Sequence, residues 1–187
     1  MTKVTSEIEQ RSQQGAYRNI TKAIGNTPLV KLRHLSKDLH TNIYVKLECF
    51  NPGLSAKDRI AAYMIERAER NGLLGPGGTV IDATSGNTGY ALAMICAIKG
   101  YRCVLTVADK ASIEKINALK ALGAEVILCP SKVKPEDPRS YYSQAVRLAD
   151  EIEGAYYTNQ NYNPDNNLAH YHGTGPEIWE QTEGKIT

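Results

Sequence analysis

The sequence lacks the marks of several large protein classes. It has four cysteines, Cys49, Cys96, Cys103 and Cys129, widely spaced and with no Cys-x-x-Cys pair. Its four histidines form no His-Glu-x-x-His arrangement. Neither a disulfide framework nor a metal centre is expected, and the cysteines, each in or beside an apolar run, read as buried reduced thiols. There is one Trp and one Phe against eleven Tyr. No apolar run approaches the roughly 20 residues needed to cross a bilayer. Met1 to Gln14 is polar and carries no apolar core of a signal peptide. A cytoplasmic protein without membrane contact is expected. The net charge of +2 is too small to mark a nucleic-acid surface. Neither the dinucleotide fingerprint G-x-G-x-x-G nor the phosphate loop G-x-x-x-x-G-K-[ST] occurs, which weighs against a nucleotide-binding domain.

What is present is a regular alternation of strand and helix patterns along 187 residues. Ile24 to Val30 reads as a turn entering a short strand, and residues 43–47 as a second strand. A helix is expected from 56 to 70, with Ile60, Met64 and Ala68 on one stripe. Thr79–Ala83, Tyr101–Val107 and Glu125–Leu128 read as strands. Between them lie helices at Asn87–Lys99, stopped by Gly100, and at Ser112–Leu122, stopped by Gly123. The second of these has Ile113, Ile116, Leu119 and Leu122 as its stripe. This βαβαβ pattern implies a parallel sheet with crossover helices, an α/β fold. Residues 91–98 are apolar on every face, so that helix should be covered on several sides. Ser140–Ile152 reads as an amphipathic helix, 156–158 as a short strand, Asn159–Asn167 as a loop and Pro176–Thr182 as a helix. Lys185 to Thr187 looks like the start of another strand, and residues 1–16 like a loose polar arm.

Two stretches carry candidate chemistry. In Asn51-Pro-Gly-Leu-Ser-Ala-Lys-Asp-Arg59, Ser55 is placed to cap the helix and Asp58 to complete a capping box. Lys57 then lies in the first turn, where the helix dipole disfavours an ammonium, and a neutral lysine amine is a nucleophile and Schiff-base former. Spacing alone favours an ordinary surface lysine. The second stretch, Thr84-Ser-Gly-Asn-Thr-Gly89, joins the C-terminal end of a strand to a helix start, the edge at which open α/β sheets bind ligands. Its hydroxyls, amide and backbone N–H groups can cradle a carboxylate or phosphate. The same residues also suit a plain capped turn.

Together the two stretches, separated by 25 residues, resemble the pyridoxal-phosphate enzymes of the cysteine synthase and cystathionine β-synthase family. Ile24-Gly-Asn-Thr-Pro-Leu29, Lys46-Leu-Glu48, Lys120-Ala-Leu-Gly-Ala-Glu125, Asn166-Asn-Leu-Ala-His-Tyr171 and Gly175-Pro-Glu-Ile-Trp179 extend the resemblance along the chain.

The resemblance implies fold type II, tryptophan synthase β-like, with a parallel sheet, helices on both faces and a truncated second domain. Residues 1–45 would be the arm and first elements of the larger domain. Residues 46–153 would be the smaller mobile domain, and 154–187 an incomplete return to the larger one. Lys57 matches the lysine that bonds covalently to pyridoxal 5′-phosphate. Asn87 matches the residue that hydrogen-bonds the cofactor's ring hydroxyl. Thr84, Ser85, Asn87 and Thr88 match the loop that grips the substrate α-carboxylate, and Gln160 a glutamine that closes on it. The implied reaction is β-replacement on a serine-type amino acid: O-acetylserine with sulfide, or serine with homocysteine. The implied assembly is a homodimer. A fragment working through a partner chain, or a non-catalytic interaction module, is the alternative.

The sequence departs from the family pattern at several points. Asn161 replaces a common aromatic residue, Gly173 a common Thr, and Leu54-Ser-Ala56 the commoner Gly-Ser-Val. The family's Gly-Thr-Gly-Gly-Thr phosphate loop would follow residue 187, so this chain by itself is expected to hold the cofactor poorly.

Overall fold

The computed structural model describes residues 15–186. The expectation of a loose arm falls largely on residues 1–14, outside the described residues. Two short strands, β1 (Leu29–Lys31) and β2 (Tyr44–Lys46), form an antiparallel ribbon with Val30 opposite Val45. The centre is a four-stranded parallel sheet of β3 (Thr79–Ala83), β4 (Arg102–Ala108), β5 (Glu125–Cys129) and β6 (Ala155–Tyr157), in the spatial order β5-β4-β3-β6. β3 is buried along its whole length, as a central parallel strand covered on both faces should be.

The helices are α1 (Lys57–Arg70), α2 (Asn87–Lys99), α3 (Ile113–Ala121), α4 (Tyr141–Glu151), α5 (Pro164–Ala169) and α6 (Gly175–Gln181). A π turn at His170–Thr174 joins α5 to α6. The sheet's alternation sends Val80, Leu105 and Val107 into one core with Ala61 and Ile65 of α1, Leu92 and Ile95 of α2 and Ile116 and Leu119 of α3. It sends Ile81, Ala83 and Val104 to the opposite face, against Ala145, Leu148 and Ala149 of α4. Helices thus cover both faces. The all-apolar stretch of α2 is buried from Ala91 to Cys96, whereas Ala97 and Ile98 reach solvent. Gly100 ends α2 in the left-handed conformation that a side chain resists.

Four expectations are corrected. Ile113 is not on the buried stripe of α3: it opens the helix and is 61% exposed. Residues 159–167 are not all loop, because Asn163 accepts from the Asp165 N–H and caps α5. Lys185 and Ile186 form no strand, and Thr187 lies outside the described residues. Cys49 is exposed, unlike the three buried thiols at Cys96, Cys103 and Cys129. Among the described residues, no helix is long and apolar enough to cross a membrane.

Candidate active site

The segment before Lys57 is folded by two buried polar side chains. Asn51 donates to the Glu48 and Ser55 carbonyls and accepts from the Gly25 N–H at 2.8 Å, fixing the Asn-Pro-Gly turn. Ser55 accepts from the Lys57 N–H at 3.1 Å. Asp58 does not complete a capping box. Its Oδ2 instead reaches back to accept from the Gly53 N–H at 2.5 Å. α1 starts at Lys57, with Ala56 as a flanking residue that offers no side-chain cap. Asp58 is fully buried, and its Oδ2 is spent on the N–H that the turn presents at Gly53. Burial pushes the Asp58 carboxyl above its ordinary range, since the Gly53 N–H offsets only part of the desolvation.

Gly53 is required here by space. A Cβ on it would sit 2.3 Å from Asp58 Oδ1. Gly53→Ala is therefore expected to break the Gly53–Asp58 bond and to cost about 1–3 kcal/mol, the penalty for a buried polar group losing its partner. Urea denaturation of the variant measures it, and an unchanged midpoint would refute the role given to this turn. Leu54 adopts φ 61° and is exposed, so the position commonly held by glycine is one where the backbone is left-handed.

The second stretch follows β3. Thr84 continues the sheet by donating its N–H to the Thr106 carbonyl at 3.1 Å. Thr84 and Ser85 are half-buried, Gly86 and Asn87 exposed, and Thr88 buried. Gly86 is the N-cap of α2 and no side chain caps the helix. The Thr84 hydroxyl accepts from the Gly86 N–H at 3.3 Å, so the turn before the helix is bridged although the helix itself has no side-chain cap. Gly89 allows the close approach, because a Cβ there would lie 3.2 Å from Thr84 Cγ2 and 3.3 Å from Leu105 Cδ1.

The two stretches meet by helix packing. α1 and α2 lie against each other, and at their C-terminal ends Lys99 pairs with Glu69 at 2.8 Å. Each pairing residue is twelve positions beyond its helix's first residue, Lys57 or Asn87. Two helices in contact with their C-terminal ends paired run side by side in one direction. Their N-terminal turns therefore open at the same end, the C-terminal edge of the sheet. Lys57 is half-buried, with no ion-pair partner among the described residues. His170, beside it, is held below its ordinary range by burial and by the Lys57 and Arg59 charges, and its Nδ1 is 2.9 Å from the Thr174 hydroxyl.

Gln160, in the loop after β6, comes to the same edge. Its Oε1 accepts from the Thr88 hydroxyl at 2.5 Å and its Nε2 donates to Asp82 Oδ2 at 3.2 Å. Asp82 itself was not a candidate from the sequence. It is 1% exposed on β3, and burial raises its carboxyl to about 6 against the weaker pull of the Ala83 N–H and the Thr158 hydroxyl. An acid two residues before the Thr84 loop was the available signal.

Arg59 is a second unforeseen residue. Its guanidinium is buried between two carboxylates. Nε and Nη2 reach Glu48 at 2.7 and 2.8 Å, and Nη1 and Nη2 reach Glu177 at 2.8 Å each. Glu177 also accepts from the Asn26 N–H at 2.7 Å and pairs with Lys46 at 2.9 Å. This donor set holds the Glu177 carboxyl down to about 2 despite burial.

A primary amine without an acid partner, an exposed amide at Asn87 and an uncapped helix start fit an anionic aldehyde cofactor. Gly86 leaves open space where a Cβ would point. The amine can bond the carbonyl carbon, and the amide can hydrogen-bond an oxygen on the ring.

Known proteins resemble this chain along most of its length. A family model described as pyridoxal-phosphate dependent enzyme matches residues 20–187. Cysteine synthase 1 of Emericella nidulans is 47% identical over 173 residues, covering 92% of this chain and 46% of that protein. Cystathionine beta-synthase of Apis mellifera is 47% identical over 182 residues, covering 94% of this chain and 36% of that protein. The crystal structure of O-ureido-L-serine synthase superposes with a TM-score of 0.83 at 38% identity, covering 92% of this chain and 53% of that one. The chain thus spans half or less of the curated relatives it matches, and it corresponds to their N-terminal part. With the sheet, the crossover helices and the family match in agreement, the chain belongs to the pyridoxal-phosphate dependent enzyme family, fold type II.

Proposed function

We propose that this chain supplies the lysine and the substrate-carboxylate cradle of an enzyme of β-replacement on a serine-type amino acid. The observation that carries the reading is the parallel packing of α1 and α2, which opens Lys57 and the 84–88 loop at one edge of the sheet. Pyridoxal phosphate, when bound, supplies an electron sink for the carbanion at the substrate α-carbon.

The protein's own residues have separable tasks. The Lys57 amine would hold the cofactor, and its Nζ is the group that would take the substrate α-proton. Asn87 would hold the ring hydroxyl through its side-chain amide. Thr84 and Ser85 present hydroxyls, and the start of α2 presents backbone N–H groups, to the α-carboxylate, while Thr88, whose hydroxyl donates to Gln160, holds that amide in the cradle. Gln160 adds an amide N–H from the facing loop. This contribution is positional: it fixes the α-carbon within reach of Lys57. The substrate pairs considered, O-acetylserine with sulfide and serine with homocysteine, present the same carboxylate and β-carbon to these groups. A cytoplasmic homodimer, with 46–153 as the mobile domain, belongs to the same proposal.

The test uses carboxylate recognition alone. L-Serine added to the isotope-labelled chain is expected to shift the amide resonances of residues 85–88 and the side-chain amide of Gln160, while ethanolamine, which lacks the carboxylate, leaves them in place. Equal shifts from both, or none from serine, would overturn the reading.

A further inference from the structure

The side-chain amide of Gln160 can sit in either of two orientations, related by exchanging its oxygen and its NH2 group. Two neighbours choose between them here. The Thr88 hydroxyl, on a residue 3% exposed, donates to Oε1 at 2.5 Å. The Asp82 carboxylate, buried at the end of β3, takes one of the two Nε2 protons at 3.2 Å. An ionised carboxylate only accepts, so it enforces NH2 toward itself. The second Nε2 proton has no acceptor among the described residues, and a substrate carboxylate in the cradle could take it. We propose that Asp82 is a positioning residue whose ionisation fixes the Gln160 amide so that it offers an N–H to the substrate carboxylate.

Protonation removes the constraint. A neutral carboxyl can donate to the amide oxygen, and the Thr88 hydroxyl can accept as readily as donate. The flipped amide then becomes allowed, with its oxygen where its nitrogen had been, and an oxygen repels the incoming anion. The groups that face Asp82 leave it free to respond in the physiological range. The Ala83 and Gln160 N–H groups and the Thr158 hydroxyl hold it down, against a larger effect of burial that raises it to about 6. The titratable neighbours are the Cys103 thiol on β4 and the Tyr156 and Tyr157 phenols on β6, each pushed upward and so neutral while Asp82 titrates. Among the described residues no cation contributes to its shift. The amide is therefore locked above about pH 6 and released below it.

The inference rests on the reading that Gln160 belongs to the carboxylate cradle, and the experiment separates the two. The Gln160 side-chain amide of the labelled chain is followed by NMR from pH 8 to 4.5, alone and with L-serine, whose carboxylate stays ionised over this range. The free chain should show a step near pH 6, and serine should bind up to about tenfold more weakly one unit below it. In Asp82→Asn no group titrates at this position, so the step should vanish and serine affinity should become independent of pH. A Gln160 amide unmoved across pH 6, or an unchanged step in Asp82→Asn, would overturn the proposal. Should Asp82→Asn fail to fold, Gln160→Ala replaces it. Loss of the donor must then raise the Asp82 midpoint, read from its carboxyl carbon, and an unmoved midpoint would also overturn it. An intact step without any serine response supports the control of the amide by Asp82 and rejects Gln160 as part of the cradle.

Discussion

Pyridoxal phosphate added to the chain and fixed by borohydride is expected to label Lys57, and Lys57→Ala is expected to reduce site-specific labelling to background. Imine formation needs a neutral primary amine that can reach an aldehyde. The lysines differ in whether that amine is available. Lys46 donates to the Thr27 carbonyl and the Gln181 side chain at 2.7 Å each and pairs with Glu177 at 2.9 Å. Lys99 is held by Glu69 at 2.8 Å. An amine held in this way by carboxylate and carbonyl partners is not free to meet an aldehyde. Lys57 has no such partner among the described residues and stands half-buried in the first turn of α1. Exposed lysines such as Lys120 provide the internal reference, since they have access without a cradle. With the cofactor limiting, peptide mass spectrometry should find the Lys57 adduct about tenfold over Lys120, equivalent to roughly 1.4 kcal/mol of preference. Lys57→Arg, which keeps the charge but cannot form the imine, should be as silent as Lys57→Ala. Label spread evenly over surface lysines would remove Lys57 from its assigned role.

The parts of the fold that were legible in the sequence are those where one local rule acts alone. From Thr79 to Cys129, strands of β-formers alternate with helices that end at Gly100 and Gly123, and the elements fall within two residues of expectation. Ile113 misled because it continues a helical stripe in sequence, yet it stands at the first residue of α3 and is exposed there. Residues 159–167 misled because asparagine is a poor helix former. There a cap at Asn163 and packing of Ala169 on Ile60 and Met64 of α1 outweigh propensity.

The same distinction runs through the site. Lys57 and the 84–88 loop were legible because each sits at a helix start, a local pattern. Asp82 was not, since a single acid in a strand gains meaning only when β6 brings Gln160 against it, 78 residues away. Arg59 was not, since its partner Glu177 is 118 residues away. Residues whose role comes from distant pairing carry no local signature.

That distant pairing makes Arg59 the position where one substitution should cost most in stability. Arg59→Met removes a guanidinium that is 7% exposed and leaves Glu48 and Glu177 facing each other in its place. Breaking a buried ion pair from one side costs about 3–5 kcal/mol, because the remaining charge is uncompensated. In a chain of this size the melting temperature should drop by on the order of 10 °C. Arg59→Lys should lose less, since charge is retained while the two forked contacts are not. The pH dependence identifies the cause. Glu177 is held at about 2 in the folded state, below its ordinary value of 4.5. Its contribution is full above 4.5 and is lost as pH falls toward 2. Asp82 runs the opposite way: its folded value of about 6 lies above the ordinary 3.8, so folding is favoured as pH drops through that interval. Acidifying the wild-type chain should first add stability through Asp82 and then remove it through Glu177. Arg59→Met should flatten the second limb and leave the first untouched, a pattern that general loss of packing would not produce. Urea midpoints at a series of pH values measure both limbs. The consequence reaches the proposed site as well. Arg59 is two residues from Lys57 and ties the first turn of α1 to Glu48 on one side and α6 on the other. Releasing it should also lower borohydride labelling of Lys57 under conditions where the variant remains folded. Full labelling in a folded Arg59→Met chain would confine Arg59 to stability alone.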